Sequence, residues 1–469
     1  MKRLNVLLFR PYSKADELIP PFGLGYLATA LRKNHNTEIL DGIKENMTPD
    51  NFKDFLHENK FDVIGIQIFT FHINAAKEYV RVIKELRPET KIILGGPHPS
   101  CDPNNIFYYF PKIDFAFRGE AEIGLAKLMD LMAESGDIED LELKEVPGLI
   151  WRDKENKTVA NNQIFVENLD TLGCPSWDLL KPDTYPLAPH GAFFKNYPIA
   201  PIIITRGCPF NCTFCAGRLV SGRKIRRRSV ALVISEIKEL YYKYGIREIH
   251  IEDDNFTFYR DLVMEFCDEL TKNNLNISWV CPNGVRLDTL DKELLLKMKE
   301  TGLYSLSVGV ESGSNRVLSH MQKSLNTEKI KEKVALIRET GLEVIGFFVI
   351  GYPAETRQDI LDTIKFAKKL DLKRANFTIF KPFPGTPITD KLIADNELPE
   401  IQENWEKYIL ADAVYAPQGF TTKELKNLRR RAFLSFYLRP KILFKMMREI
   451  KNFKHFKIVM KRILRWIFK

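Results

Sequence analysis

TRGCPFNCTFCAG, residues 205–217, sets Cys208, Cys212 and Cys215 in a C-x3-C-x2-C loop. A structural zinc site and a simple ferredoxin-type cluster each want four protein ligands, and this loop supplies three. Three thiolates holding four irons leave one iron with an open position, which is what a catalytic centre keeps for its substrate or cofactor. Cys174, Cys267 and Cys281 are the other sources of a fourth ligand, although Cys267 falls in a helical pattern and reads as a small buried hydrophobe. A stabilising zinc clip is the competing reading.

Outward from the loop, the chain from residue 200 reads as strand-helix units. PIIITRG, REIHIED, ISWVCP, YSLSVGV, EVIGFFVIG and ANFTIFK are each followed by a helical pattern such as VALVISEIKELYYKY. Six such units predict a partial barrel, in which catalytic groups belong at the C-terminal ends of strands, and the cysteine loop follows the first of them. Before it, residues 1–135 alternate short apolar runs (LNVLLF, DVIGIQIF, KIILGG) with periodic helices, which predicts a Rossmann-like parallel sheet covered on both faces. Its ligand crevice belongs at the strand ends that carry Gln67 to Phe71, Gly95-Gly96-Pro97-His98 and Arg118-Gly119-Glu120. Residues 136–195 read as a connector with a small hairpin, GLIWR pairing near IFVENLD. The barrel is expected over 196–390 and a helical C-terminal region over 391–469.

Seven scattered cysteines make no disulfide framework and point to a reducing cytosol. The start MKRLNVLLFRPYS reads as a first strand, not a signal peptide, and no stretch reaches the roughly eighteen apolar residues of a membrane span. The net charge of +9 is concentrated: from Phe436 to Lys469 eleven Lys or Arg face the single acid Glu449. There Ile442, Leu443, Met446, Ile450, Phe453, Ile458, Ile463 and Ile467 recur at helical spacing, with Trp466 near the end. Such a tail suits the interface of an anionic membrane, with packing on the barrel as the alternative. No recognition motif for nucleic acid accompanies it.

The loop resembles that of the radical S-adenosylmethionine (SAM) superfamily, with Phe214 in the aromatic place before the last cysteine. The resemblance implies that Cys208, Cys212 and Cys215 bind a 4Fe-4S cluster whose unique iron chelates SAM, and that an electron from an external donor such as flavodoxin or ferredoxin cleaves it reductively. It extends to His250–Phe256, where Glu252, Asp253 and Asp254 resemble an element near the SAM amino group. Val308–Gly313, with Glu311, and Ile345–Pro353, with Gly346 flanking the adenine, resemble later strand-end segments. Arg286 is a bidentate donor suited to the SAM carboxylate, and an ion pair with Asp288 or Glu293 is its alternative.

A Rossmann-like domain ahead of such a barrel resembles the cobalamin-binding subfamily. The resemblance covers about residues 1–390 and implies a cobalamin site at Gly95, Gly96, His98, Gly119 and Glu120, with Thr70 or Phe71 near the cobalt face. The D-x-H-x-x-G motif that supplies a histidine to cobalt is absent. Methyl transfer to an unactivated carbon or a phosphinate, with SAM used both as radical source and to methylate cobalamin, is the expected reaction. Radical cyclisation or C–C bond formation on a porphyrin-like or lipid-like substrate is the alternative, and a non-enzymatic iron–sulfur carrier or sensor a third. The tail favours an apolar substrate and a cytoplasmic protein at the inner face of the membrane. No catalytic residue is assigned.

Overall fold

Strands form where apolar runs are buried on both faces. A computed structural model describes residues 2–13, 18–134, 138–186, 193–401, 403–409 and 412–468. The chain divides into two units, each described by itself: Met1–Lys181 with Ala216–Arg226 and Phe383–Glu406, and Pro182–Cys215 with Arg227–Pro382 and Lys407–Lys469.

In the first unit, β1 (Asn5–Arg10), β2 (Asn36–Asp41), β3 (Val63–Gln67), β4 (Lys91–Gly95) and β5 (Phe115–Phe117) form a parallel sheet in the order β2-β1-β3-β4-β5. This doubly wound order reverses between β1 and β3, where open sheets present ligands at their carboxyl ends. Leu8, Val63, Ile93, Leu125, Met129 and Trp151 lie in one apolar cluster that covers a face. The hairpin differs from expectation. β6 (Leu149–Arg152) pairs with β7 (Thr158–Ala160), not with residues near Ile164, and β6 also pairs antiparallel with β5, so the hairpin extends the sheet. Asp153 closes the turn early: its carboxylate accepts the N–H groups of Glu155 and Lys157, both at 2.9 Å, and Asn156 takes the left-handed conformation (φ 62°).

The second unit holds β8 (Ile199–Ile202), the two-residue β9 (Thr205–Arg206), β11 (Glu248–Ile251), β12 (Ser278–Val285), β13 (Leu303–Glu311), β14 (Glu343–Ile350) and β15 (Arg374–Ile379); β10 is Arg226–Arg227. Six of them pair in parallel and in chain order, from β8 and β11 through to β15, as a partial barrel does. Ser229, Asp291, Asn326 and Thr356 start helices by accepting a backbone N–H two or three residues into the first turn. The register of β12 on β13 and of β13 on β14 slips towards their C-terminal ends, between Cys281 and Val285 and between Gly309 and Glu311. Such irregularities re-aim side chains at a site.

The C-terminal region is helical over Thr422–Tyr437, Pro440–Arg448 and Phe453–Phe468. The expected single apolar stripe is split at Glu449, which pairs with Lys373 and Arg374, and Asn452 caps the next helix by accepting the N–H of His455 at 2.9 Å. Ile442 is buried, and Val459 packs with Ile458, Ile463 and Phe193, whereas Leu443 and Phe453 face outward. The side chains of Trp466 and Ile467 lie outside the described residues. No described helix is long and apolar enough to cross a membrane.

Candidate functional site

The cysteine loop is stitched to the barrel from behind. Thr213 donates its N–H to the Met321 carbonyl at 3.1 Å, its hydroxyl lies 2.8 Å from that of Tyr352, and Tyr352 donates to the His320 carbonyl at 3.0 Å. Cys208, Cys212 and Phe214 are half-buried, Cys215 is exposed, and none of the seven cysteines is in a disulfide. Cys267 and Cys281 are buried, and burial pushes both thiols up. Cys267 also accepts the Thr301 hydroxyl at 3.4 Å. Cys174 belongs to the first unit. Burial raises the Cys208 thiol as well, so it is the chemistry of the donor set, three thiols of one loop outside any disulfide, that fits a cluster held by three thiolates.

The acidic triplet divides its tasks. Asp253 is buried and ties β11 to the start of the loop, accepting the N–H of Ile204 at 2.8 Å and the N–H and hydroxyl of Thr205, each at 2.7 Å. Burial pushes its carboxyl up to about 7 against those bonds. Asp254 is exposed, and Glu252 is buried at the strand end with its carbonyl accepting the Asn283 amide at 2.8 Å. Of the three, Asp253 holds the scaffold.

Arg286 takes its alternative role. Its Nε and Nη2 bind the Asp288 carboxylate at 3.0 and 2.8 Å, Nη1 donates to the Lys323 carbonyl at 2.9 Å, and the guanidinium lies 3.7 Å from the centre of the Phe210 ring. The pair is not on the surface, since Arg286 is buried. Glu311, in the left-handed conformation at φ 62°, pairs with buried Lys323 at 2.7 Å. A Cβ on Gly309 would stand 2.3 Å from the Glu311 carboxylate, so this glycine makes room for the ion pair. Gly346 departs from its expected place: a Cβ there would meet Leu372 and Phe348 at 2.8 and 2.9 Å. Phe348 stacks on Phe377, which meets Phe436 of the helix Thr422–Tyr437, so Gly346 opens towards the helical layer. Lys323 and Tyr352 escape sequence reading, because no local spacing marks residues that meet the loop and its backing from more than a hundred positions away.

At the strand ends of the first unit, a Cβ on Gly95 would have no atom within 4 Å, which leaves a cradle fit for a broad, flat ligand. Gly96 (φ +103°) and Gly119 (φ +68°) serve the backbone instead. A Cβ on Gly96 would press on the Ile68 carbonyl at 2.9 Å, and Gly119 donates its N–H to the Ser100 hydroxyl at 2.9 Å. Two expected contacts are corrected. Glu120 is spent on Arg226, bound by Nη1 and Nη2 at 2.7 and 2.8 Å, and on the Val166 N–H at 3.1 Å, so its carboxylate does not await amide arms. His98 is 0% exposed, packed against Trp405 and Tyr109, with Nδ1 3.3 Å from the hydroxyl of buried Thr70. Phe69 and Phe71, half-buried, stack with ring centres 5.7 Å apart in the same turn.

Burial lowers the pKa of His98 from 6.5 to about 3, and burial followed by the Arg10 charge does the same to His72. A histidine whose folded pKa lies below its unfolded one contributes stability that is present above the unfolded value and lost as pH falls towards the folded one. Acidification from pH 6.5 towards 3 is therefore expected to destabilise the chain by up to about 4 kcal/mol per histidine. Chemical unfolding across this range checks it: His98→Phe should flatten the slope, and an unchanged slope rejects the account.

Residues 202–367 match the radical SAM superfamily and residues 13–129 match the B12 binding domain. An uncharacterized methyltransferase of Pyrococcus horikoshii is 34% identical over 477 residues, covering 100% of this chain and 99% of the relative. The chain belongs to the B12-binding radical SAM enzymes. It is accordingly an enzyme that works with a 4Fe-4S cluster, SAM and cobalamin, and this family draws its electron from an external reductant. Cytidylyl-2-hydroxyethylphosphonate methyltransferase of Streptomyces wedmorensis is 27% identical over 80% of this chain and 78% of its own length. The anaerobic magnesium-protoporphyrin IX monomethyl ester cyclase of Rubrivivax gelatinosus is 26% identical over 89% and 75%. Among solved structures, the radical SAM methyltransferase TsrM of Kitasatospora setae covers 93% of this chain and 85% of its own at a TM-score of 0.69 and 20% identity. The apo form of the cobalamin-dependent radical enzyme OxsB covers 98% and 70% at 0.74 and 17%. These two likenesses carry the fold.

Proposed function

We propose that the protein transfers a methyl group to an unactivated carbon or a phosphinate. The observation that carries this is the full-length similarity to a methyltransferase, on a chain whose two units bear a three-thiol loop and an open glycine edge. When bound, the cluster, SAM and cobalamin supply the electron, the radical and the methyl carrier. Cys208, Cys212 and Cys215 hold the cluster. Glu252, Asp254 and the Glu311–Lys323 pair face the amino-acid end of SAM, where Lys323 suits a carboxylate and the acids an ammonium. Asp253 and Arg286 keep the loop and its backing in place, Phe214 sits beside the cluster within the loop, and Gly346 serves the packing of the helical layer. Gly95 admits the corrin, Phe69, Thr70 and Phe71 form the wall beside it, and Gly96, His98, Gly119 and Glu120 shape the turns behind.

Anaerobic reconstitution with iron, sulfide and cobalamin followed by product analysis tests the reaction. Methyl transfer yields 5′-deoxyadenosine together with S-adenosylhomocysteine, whereas deoxyadenosine alone favours the cyclisation that the cyclase relatives suggest. Lys323→Met is expected to weaken SAM binding about 100-fold, since it removes one partner of a buried charge pair. The double change Glu311→Gln with Lys323→Met separates folding from binding: it removes the stranded charge yet should not restore affinity, measured by equilibrium dialysis.

We propose flavodoxin or ferredoxin as the type of electron donor. Peripheral attachment to an anionic membrane through the C-terminal helices is our reading of the exposed Phe444, Met447 and Phe453 among lysines and arginines. That attachment lends no support to an apolar substrate, because the helices pack at the N-terminal ends of the barrel strands while the cysteine loop follows a C-terminal end.

A further inference from the structure

We infer that the outward face of the helices Pro440–Arg448 and Phe453–Phe468 is a docking surface for an anionic bilayer, and that docking leaves the cysteine loop at the far end of the barrel, turned to water. The inference rests on the membrane reading above and adds the face, its chemistry and its orientation.

The inward face is settled. Ile442, His455 and Val459 are buried, His455 meets the rings of Phe193 and Phe194, Lys451 donates to the Lys195 carbonyl, and Glu449 pairs with Lys373 and Arg374. The outward face is therefore not a helix lacking a partner, but the second side of a packed one. It exposes Phe444 (58%), Met447 (70%) and Phe453 (69%), with Leu443 and Phe456 beside them. Two of these rings carry a cation: the Arg448 guanidinium lies 4.3 Å from the centre of Phe444, and the Lys457 ammonium 4.7 Å from that of Phe453. Rings that enter an apolar layer beneath cations reaching for headgroups are the arrangement of an interfacial helix.

Charge selects the occupant. Arg448, Lys457 and Lys461 are exposed, Lys441 is exposed beside Asp371, and Glu449, the sole acid of the segment, is turned inward by its ion pairs. A face with this excess of cations among apolar groups suits lipid phosphates. It does not suit a second copy of the chain, because an isologous contact would bring like charges together. Orientation follows from sequence position: Phe193 and Phe194 precede β8 and Lys373 and Arg374 stand at the start of β15, whereas Cys208 comes after β8 ends.

The test is flotation of the full-length reconstituted protein with phosphatidylcholine vesicles, with and without phosphatidylserine. Wild type should float with the anionic vesicles, less so in high salt, and remain behind with phosphatidylcholine alone. Phe444→Ser with Met447→Ser and Phe453→Ser, and separately Lys441→Glu with Arg448→Glu and Lys457→Glu, should each cut the bound fraction at least tenfold while leaving the thermal unfolding midpoint in place. Undiminished flotation of both variants overturns this face but not attachment. Wild type that never floats overturns attachment itself. A wild-type dimer that dissociates in the apolar variant identifies the face as a self-association surface and overturns the lipid assignment. Vesicle-bound enzyme given dithionite should cleave SAM at the unbound rate; a tenfold loss on binding overturns the orientation.

Discussion

Cys212→Ala is expected to give a folded protein that holds no four-iron cluster and cleaves SAM more than about 100-fold more slowly than wild type. The loss of a residue that merely orients a metal ligand costs about 10–100-fold, and the loss of a ligand itself costs more. Folding should survive, because the loop is held by Thr213, which bonds the Met321 carbonyl and meets Tyr352, and by the Asp253 carboxylate under Thr205. None of those bonds uses the Cys212 thiol. Cys267→Ala is the control: its thiol is buried on the helix Arg260–Lys272 against Thr301, at the end of the helix Lys292–Glu300, so iron content should stay and stability drop slightly. Iron and sulfide analysis, electron paramagnetic resonance of the reduced protein and deoxyadenosine yield measure both. Stoichiometric iron in the Cys212 variant would remove this thiol from the ligand set.

The second large effect separates two adjacent glycines. Gly96→Val should unfold much of the first unit, since φ +103° is closed to a β-branched residue and its Cβ would lie 2.9 Å from the Ile68 carbonyl oxygen. Strain of this kind costs about 3 kcal/mol before the collision is counted, a large share of a stability of about 5–15 kcal/mol. Gly95→Val should fold, because its Cβ meets no atom within 4 Å, and should weaken cobalamin binding tenfold or more by filling the cradle. Sequence reasoning places both glycines at the cobalamin site; Gly96 has a backbone task at φ +103°, and the space around Gly95 is why we propose it as the ligand-facing one. Denaturation curves and cobalamin titration by absorbance decide the matter. Undiminished binding by Gly95→Val would place the corrin elsewhere.

Sequence alone determined what is local. The three-cysteine spacing, the alternation of apolar runs with periodic helices, and the polar residues that open helices, such as Ser229 and Thr356, are set within a few positions of one another. Each is therefore fixed without knowledge of what lies across the sheet, and the alternation of runs and helices determines both folds. Tertiary structure decided which charges are spent. Glu120 is consumed by Arg226 across 106 positions, Arg286 by Asp288 and the Lys323 carbonyl, and His98 by burial against Trp405. It also decided that Lys323 stands behind the cysteine loop and that the basic tail lies at the opposite end of the barrel from it. The physical reason is the same in each case: a carboxylate or guanidinium has one outcome in water and another beside an opposite charge. Which of these it meets depends on strand order and register, and those arise from burial of the whole core rather than from the residues next in sequence.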